Sequence, residues 1–91
     1  MSSYKITHNI NIYVDKDLGL EVSYDKNADF DQIILRVRNG VKFVNFRVTD
    51  LVDTVQAEFW HGYKSEYVIV LINSHIHQQA FQTMMDNFLN K

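Results

Sequence analysis

Alternating apolar and polar residues dominate the first half of the chain. Ile6, Ile10, Ile12 and Val14 fall on one side of an extended segment, with Asn9, Asn11 and Tyr13 on the other. After the polar break Asp15-Lys16-Asp17, Leu18, Leu20, Val22 and Tyr24 alternate with Gly19, Glu21 and Ser23. A short loop between these runs predicts a hairpin that pairs Val14 with Leu18, Ile12 with Leu20 and Ile10 with Val22, all on one face. Next come a polar connection over 24–29 and Asn39-Gly40, which lies between Gln32–Arg38 and Val41–Val48. Asn-Gly between alternating runs is the strongest short-range hairpin signal, because both residues tolerate positive φ. With Asn39-Gly40 as the loop, Arg38 faces Val41, Arg36 faces Phe43 and Leu35 faces Val44. One face of the ribbon then carries Ile33, Leu35, Val37, Val44, Phe46 and Val48. The other carries Gln32, Ile34, Arg36, Arg38, Val41, Phe43, Asn45 and Arg47, and with them every arginine in the protein.

The second half changes period. Val52, Val55, Phe59 and Tyr63 follow helical spacing behind a cap at Asp50 or Thr49, so a first helix is predicted, ending at Gly62 or the Lys64-Ser65 step. Tyr67–Ile72 is a continuous β-branched run, read as a strand buried on both faces or covered by a partner. Ser74 caps a second helix with rows Ile76, Ala80, Met84, Phe88 and Phe81, Met85, Leu89. The predicted fold is α+β: an antiparallel sheet of four to five strands, made of two hairpins plus one strand, with two helices packed on one face. It forms a single domain over 1–91.

Composition narrows the class. The chain is 46% hydrophobic and 22% charged, which is ordinary globular material. A net charge of −2 opposes a generally nucleic-acid-binding surface but leaves room for a local basic patch. With no cysteine there is no disulfide, thiolate metal site or cysteine nucleophile. Met1-Ser2-Ser3-Tyr4-Lys5 has no apolar run behind it, so no signal peptide is expected, and no apolar run is long enough to span a bilayer. A cytoplasmic protein without membrane contact is expected.

No catalytic constellation emerges. There is no nucleophile elbow and no phosphate loop. His75-x-His77 is an incomplete metal motif, better read as helix-start histidines whose rings splay apart. The pairs Asp15/Asp17 and Asp29/Asp31 lack the remaining ligands of a calcium loop and read as solvated turn acids. No metal and no cofactor are expected. What remains is interaction chemistry. Arg36, Arg38 and Arg47 with Phe43 suit an acidic protein surface or single-stranded nucleic acid, against the bland reading of a solvated sheet face. Phe59, Trp60 and Tyr63 cluster near the end of the first predicted helix. Phe59 and Tyr63 belong to its core stripe, and Trp60 at the stripe's edge is either a core residue or an interface anchor.

The stretch from Asp15-Lys16-Asp17 through Gln32–Gly40 to Phe59-Trp60-His61-Gly62-Tyr63 resembles small phage-encoded anti-CRISPR inhibitors of type II-A Cas9. The resemblance covers about half the chain. It implies a small antiparallel sheet flanked by helices, a Cas nuclease as protein partner, and the host cytoplasm as location. Those inhibitors act as acidic DNA mimics. This chain is near neutral, has a basic ribbon and is apolar after Tyr67, so no functional residue carries over. The expected function is that of a small non-catalytic binding protein, a phage-type inhibitor of a defence nuclease such as Cas9. It would use Arg36, Arg38, Phe43, Arg47 and Trp60. The competing readings are a nucleic-acid-binding module on the basic sheet face, and a dimeric structural or adaptor protein in which the strand over 67–72 pairs across a two-fold axis.

Overall fold

Gly40 organises the centre of the molecule. In the computed structural model, which describes residues 2–27, 32–49 and 53–90, it has φ of 63° and opens a two-residue turn with Val41. Glycine in the first loop position is one of the two preferred solutions for a tight hairpin. The turn joins β4 (Gln32–Asn39) to β5 (Lys42–Thr49), and Asn39 pairs with Lys42. The loop is therefore Gly40-Val41 rather than Asn39-Gly40. Leu35 faces Phe46, Val37 faces Val44 and Arg38 faces Phe43, two positions from the expected register. A displacement of two keeps every side chain on its face, so the expected division into apolar and arginine-bearing faces survives. Asn39, displaced from the turn, donates from Nδ2 to the Leu89 carbonyl at 2.6 Å and so satisfies a helix-terminal acceptor.

The first predicted helix does not form. Residues 54–61 are β6 (Thr54–His61), which pairs antiparallel with β5. Val55, Ala57 and Phe59 point inward and are buried, with Gln56, Glu58 and Trp60 on the other face. Helical spacing and strand alternation agree on Val55 and Phe59, and Ala57 decides for the strand. Tyr63, expected in a core stripe, is fully exposed in the turn Gly62-Tyr63, where Gly62 has φ of 65°. The expected cap at Asp50 and the stripe residue Val52 lie outside the described residues, as do Asp29 and Asp31. That second turn leads into β7 (Lys64–Ile72), which confirms a strand over 67–72. The strand is not buried on both faces, because Val68, Val70 and Ile72 are exposed.

The first hairpin is also rearranged. β1 (Ser2–Lys5) pairs with β2 (Asn11–Val14), and β3 (Glu21–Asn27) pairs with β4, so Val14 and Leu18 are not partners. Lys16–Leu18 instead forms one 3-10 turn, where Asp15 accepts from the Asp17 amide and Gly19 closes at φ of 73°. The sheet is thus a five-stranded antiparallel meander, β3-β4-β5-β6-β7, accompanied by a two-stranded ribbon. After a 3-10 turn at His75–His77, one helix, α1 (Gln78–Leu89), completes the described structure. The class is α+β as expected; among the described residues the main sheet has five strands where four to five were predicted, a separate two-stranded ribbon is added, and one α-helix stands where two were predicted.

The core lies between the inner face of the sheet and a second layer made of the β1–β2 ribbon and α1. Leu35, Val37, Val44, Phe46, Val55, Ala57 and Phe59 of the sheet meet Ile6, Ile10, Ile12 and Val14 of the ribbon segment and Phe81, Met85, Phe88 and Leu89 of the helix. Phe46 meets Phe81 edge to face at 5.8 Å, and Phe59 meets Phe88 at 5.3 Å. Ribbon and helix are joined by polar contacts. The Gln82 side chain bonds both backbone groups of Tyr13 at 2.8 Å, and Gln78 does the same for Asn11. With one layer on one side, the outer face of the sheet is left open.

Candidate functional site: the open face of the sheet

Strand parity puts a distinctive set of side chains on the open face. β4 contributes Ile34, Arg36 and Arg38, and β5 contributes Phe43, Asn45 and Arg47. β6 contributes Gln56, Glu58 and Trp60, and β7 adds Val68, Val70 and Ile72. All five residues expected to bind a partner, Arg36, Arg38, Phe43, Arg47 and Trp60, therefore share this face. Trp60 reaches it from a strand and not from a helix edge. Phe43 and Trp60 are cross-strand partners stacked at 5.8 Å with planes 5° apart. The guanidinium carbons of Arg36 and Arg38 lie 4.8 Å and 4.5 Å from the centre of the Phe43 ring. A plateau of two rings and two cations results.

Beneath and beside it runs a polar network centred on Glu58. Its Oε1 accepts from Asn45 Nδ2 at 3.3 Å and from Trp60 Nε1 at 3.5 Å, and lies 3.3 Å from Arg47 Nε. Its Oε2 accepts from Gln56 Nε2 at 2.9 Å. Asn45, only 3% exposed, is the buried member, and its Oδ1 accepts from Arg36 Nε at 2.8 Å. Arg36 is therefore anchored and half-buried, not a solvated surface residue. Arg38 donates from Nη1 to the Gly40 carbonyl at 3.3 Å. Across the ladder from Arg38 stands Glu21, and across from Ile34 stands Asp25. Three arginines thus share the face with three carboxylates, Glu21, Asp25 and Glu58.

The other candidates separate from this face. His77 donates from Nδ1 to the Ile72 carbonyl at 2.6 Å, and Ser74 accepts from the Ile76 amide at 3.4 Å, so His75–His77 serves the turn between β7 and α1. His61 lies 3.5 Å from Glu66. Glu66 is the residue left unopposed where the β6–β7 register shifts between Phe59 and Trp60. Among the described residues, no group of three or more His, Cys, Asp or Glu is placed to hold a metal. A groove of about 360 Å³ opens beside Lys42, Glu66, Tyr67, Met84, Asn87 and Phe88. There burial, and secondarily the Glu66 carboxylate, push the Tyr67 phenol above its ordinary value.

The contribution of Trp60 to the plateau was hidden by the helical reading of 54–61. The signal was present in the parallel between His61-Gly62-Tyr63-Lys64 and Asn39-Gly40-Val41-Lys42, two Gly-X turns each followed by lysine.

Fold and face together define a small α+β domain, an antiparallel meander covered on one side and open on the other. Comparison with protein-family models, with curated proteins and with solved structures finds no match. Among the described residues, no helix is long and apolar enough to cross a membrane.

Proposed function

We propose that this chain is a non-catalytic protein-binding domain that docks its open sheet face on a partner carrying carboxylates beside apolar surface. The observation that carries the reading is the plateau of Phe43, Trp60, Arg36 and Arg38, held in place by the Asn45–Glu58 network. Aromatic and arginine side chains of limited mobility are the residues that dominate protein interfaces. An arginine next to a ring presents a planar fork that matches a carboxylate. The balance of three arginines and three carboxylates on this face favours a protein over nucleic acid, whose binding surface needs a net positive field. The anti-CRISPR resemblance supplies a first partner to try, a type II-A Cas9, and a phage-type inhibitor is the sharpest form of the reading.

The test compares the tagged chain with Arg38→Glu in nuclease-treated lysate and against purified type II-A Cas9 in a DNA-cleavage assay. Arg38 is chosen because Arg36 is tied to Asn45. A stoichiometric protein retained by the native chain and lost by Arg38→Glu, with circular dichroism unchanged, supports the reading. Inhibited cleavage by the native chain alone supports the Cas9 form. Equal retention by both chains, or recovery only of nucleic acid that salt removes, overturns it.

A further inference from the structure

The two edges of the sheet are built differently. β3, at one edge, carries Glu21, Asp25 and Lys26, charges of the kind that keep a sheet edge from pairing. β7, at the other, has no charge, proline or glycine from Tyr67 to Ile72. Its outward side chains Val68, Val70 and Ile72 are 49%, 56% and 59% exposed. The backbone direction follows from one hydrogen bond. The Asn73 amide donates to the Asp53 carbonyl, continuing the Thr54–Ile72 register. Antiparallel alternation then turns the N–H and C=O groups of Ile69 and Leu71 toward β6, and those of Val68, Val70 and Ile72 away from the sheet. The Ile72 carbonyl accepts from the Ser74 amide and His77 Nδ1, whereas Val68 and Val70 meet no further strand of the described sheet.

We propose that β7 pairs antiparallel with β7 of a second copy of this chain about a two-fold axis through Ile69, joining two meanders into one continuous sheet. In this register Val68 of one copy faces Val70 of the other, and each pair forms both N–H···O bonds of a close antiparallel pair. It needs no acceptor from Ile72, whose carbonyl is occupied. The exposed valines and isoleucines of the two copies become cross-strand neighbours on the open face. The choice of a second copy rests on complementarity between the strand's ends. Glu66 stands at one end and His75 and His77 just beyond the other, where their turn packs on the Ile72 carbonyl and limits the new ladder to Tyr67–Leu71, so antiparallel pairing directs each Glu66 end toward the second copy's histidine turn. A parallel arrangement would set Glu66 against Glu66. The proposal is independent of the plateau reading, because it uses the strand edge and not Arg36, Arg38, Phe43 or Trp60.

Sedimentation equilibrium of the native chain over a wide concentration range is the primary test, with a reversible dimer expected. Val70→Lys, which places a cation at the centre of the joint, should abolish the dimer and leave far-ultraviolet circular dichroism unchanged. The chain has no cysteine, so the register can be read directly. A mixture of Val68→Cys and Val70→Cys chains should oxidise to the mixed disulfide faster than either chain alone, since directly opposed residues meet the spacing that a disulfide needs. A native chain that stays monomeric at every concentration overturns the proposal. So does a dimer that keeps its affinity in Val70→Lys and shows no preference for the mixed disulfide.

Discussion

Replacing Glu58 by alanine tests whether the open face is a built platform or a loose set of surface residues. Glu58 is the only carboxylate that Asn45, Gln56, Trp60 and Arg47 reach together among the described contacts. Gln56 and Trp60 are half-exposed, so water replaces their lost acceptor at small cost. Arg47 is a largely exposed ion-pair partner, worth about 0–1 kcal/mol. The main loss falls on Asn45, whose buried amide then has no acceptor for Nδ2, at about 1–3 kcal/mol. The sum is roughly 2–3 kcal/mol, which for a domain of this size lowers Tm by about 8–24 °C. Thermal and urea unfolding of the native chain and Glu58→Ala measure it. Glu58→Gln keeps an oxygen for Asn45 and should cost about 1 kcal/mol or less. A cycle with Asn45→Ala should show coupling of about 1 kcal/mol or more. A Glu58→Ala chain that melts within about 2 °C of the native one, or a cycle without coupling, would refute the argument that this network fixes the plateau.

Two further outcomes follow from the core and the groove. Phe81→Ala removes a fully buried ring from its contact with Phe46 and should cost about 3–5 kcal/mol, seen as a chain largely unfolded at 37 °C by circular dichroism; a Tm drop of only a few degrees would contradict it. The Tyr67 phenol ionises above its ordinary value of 10.0, so the folded state holds its proton where the unfolded state has lost it. The stability this gives is fully present below pH 10 and is lost as pH rises through the folded value. The ultraviolet titration difference between the native chain and Tyr67→Phe should have its midpoint above 10.0, and a midpoint at or below that value would disprove the direction.

The face that carries the candidate site was legible because side-chain direction in a strand depends only on parity. Arg36, Arg38, Phe43 and Arg47 could be gathered from the sequence even though the exact turn was displaced by the positive φ falling on Gly40. Trp60 was harder. Val55, Phe59 and Tyr63 recur at four-residue steps, which satisfy a helix and a strand alike, and only Ala57 and the glycine at the first turn position separate the two. Pairing of β1 with β2 was not legible, since Ser2–Lys5 has no apolar alternation and its place comes from long-range contacts such as the Tyr24 hydroxyl on the Lys5 carbonyl at 2.6 Å. The Asn45–Glu58 bond likewise joins residues whose proximity exists only once β6 is a strand.

The layer that covers the core is drawn from opposite ends of the described chain, with Asn11 bonded to Gln78 and Tyr13 to Gln82. The meander between them joins only strands adjacent in sequence. During synthesis the sheet can therefore assemble hairpin by hairpin as it leaves the ribosome, while Phe46 and Phe59 stay uncovered until the helix bearing Phe81 and Phe88 has been made. Until α1 docks, the inner side of the sheet around Phe46 and Phe59 lacks its helical cover and is open to other chains.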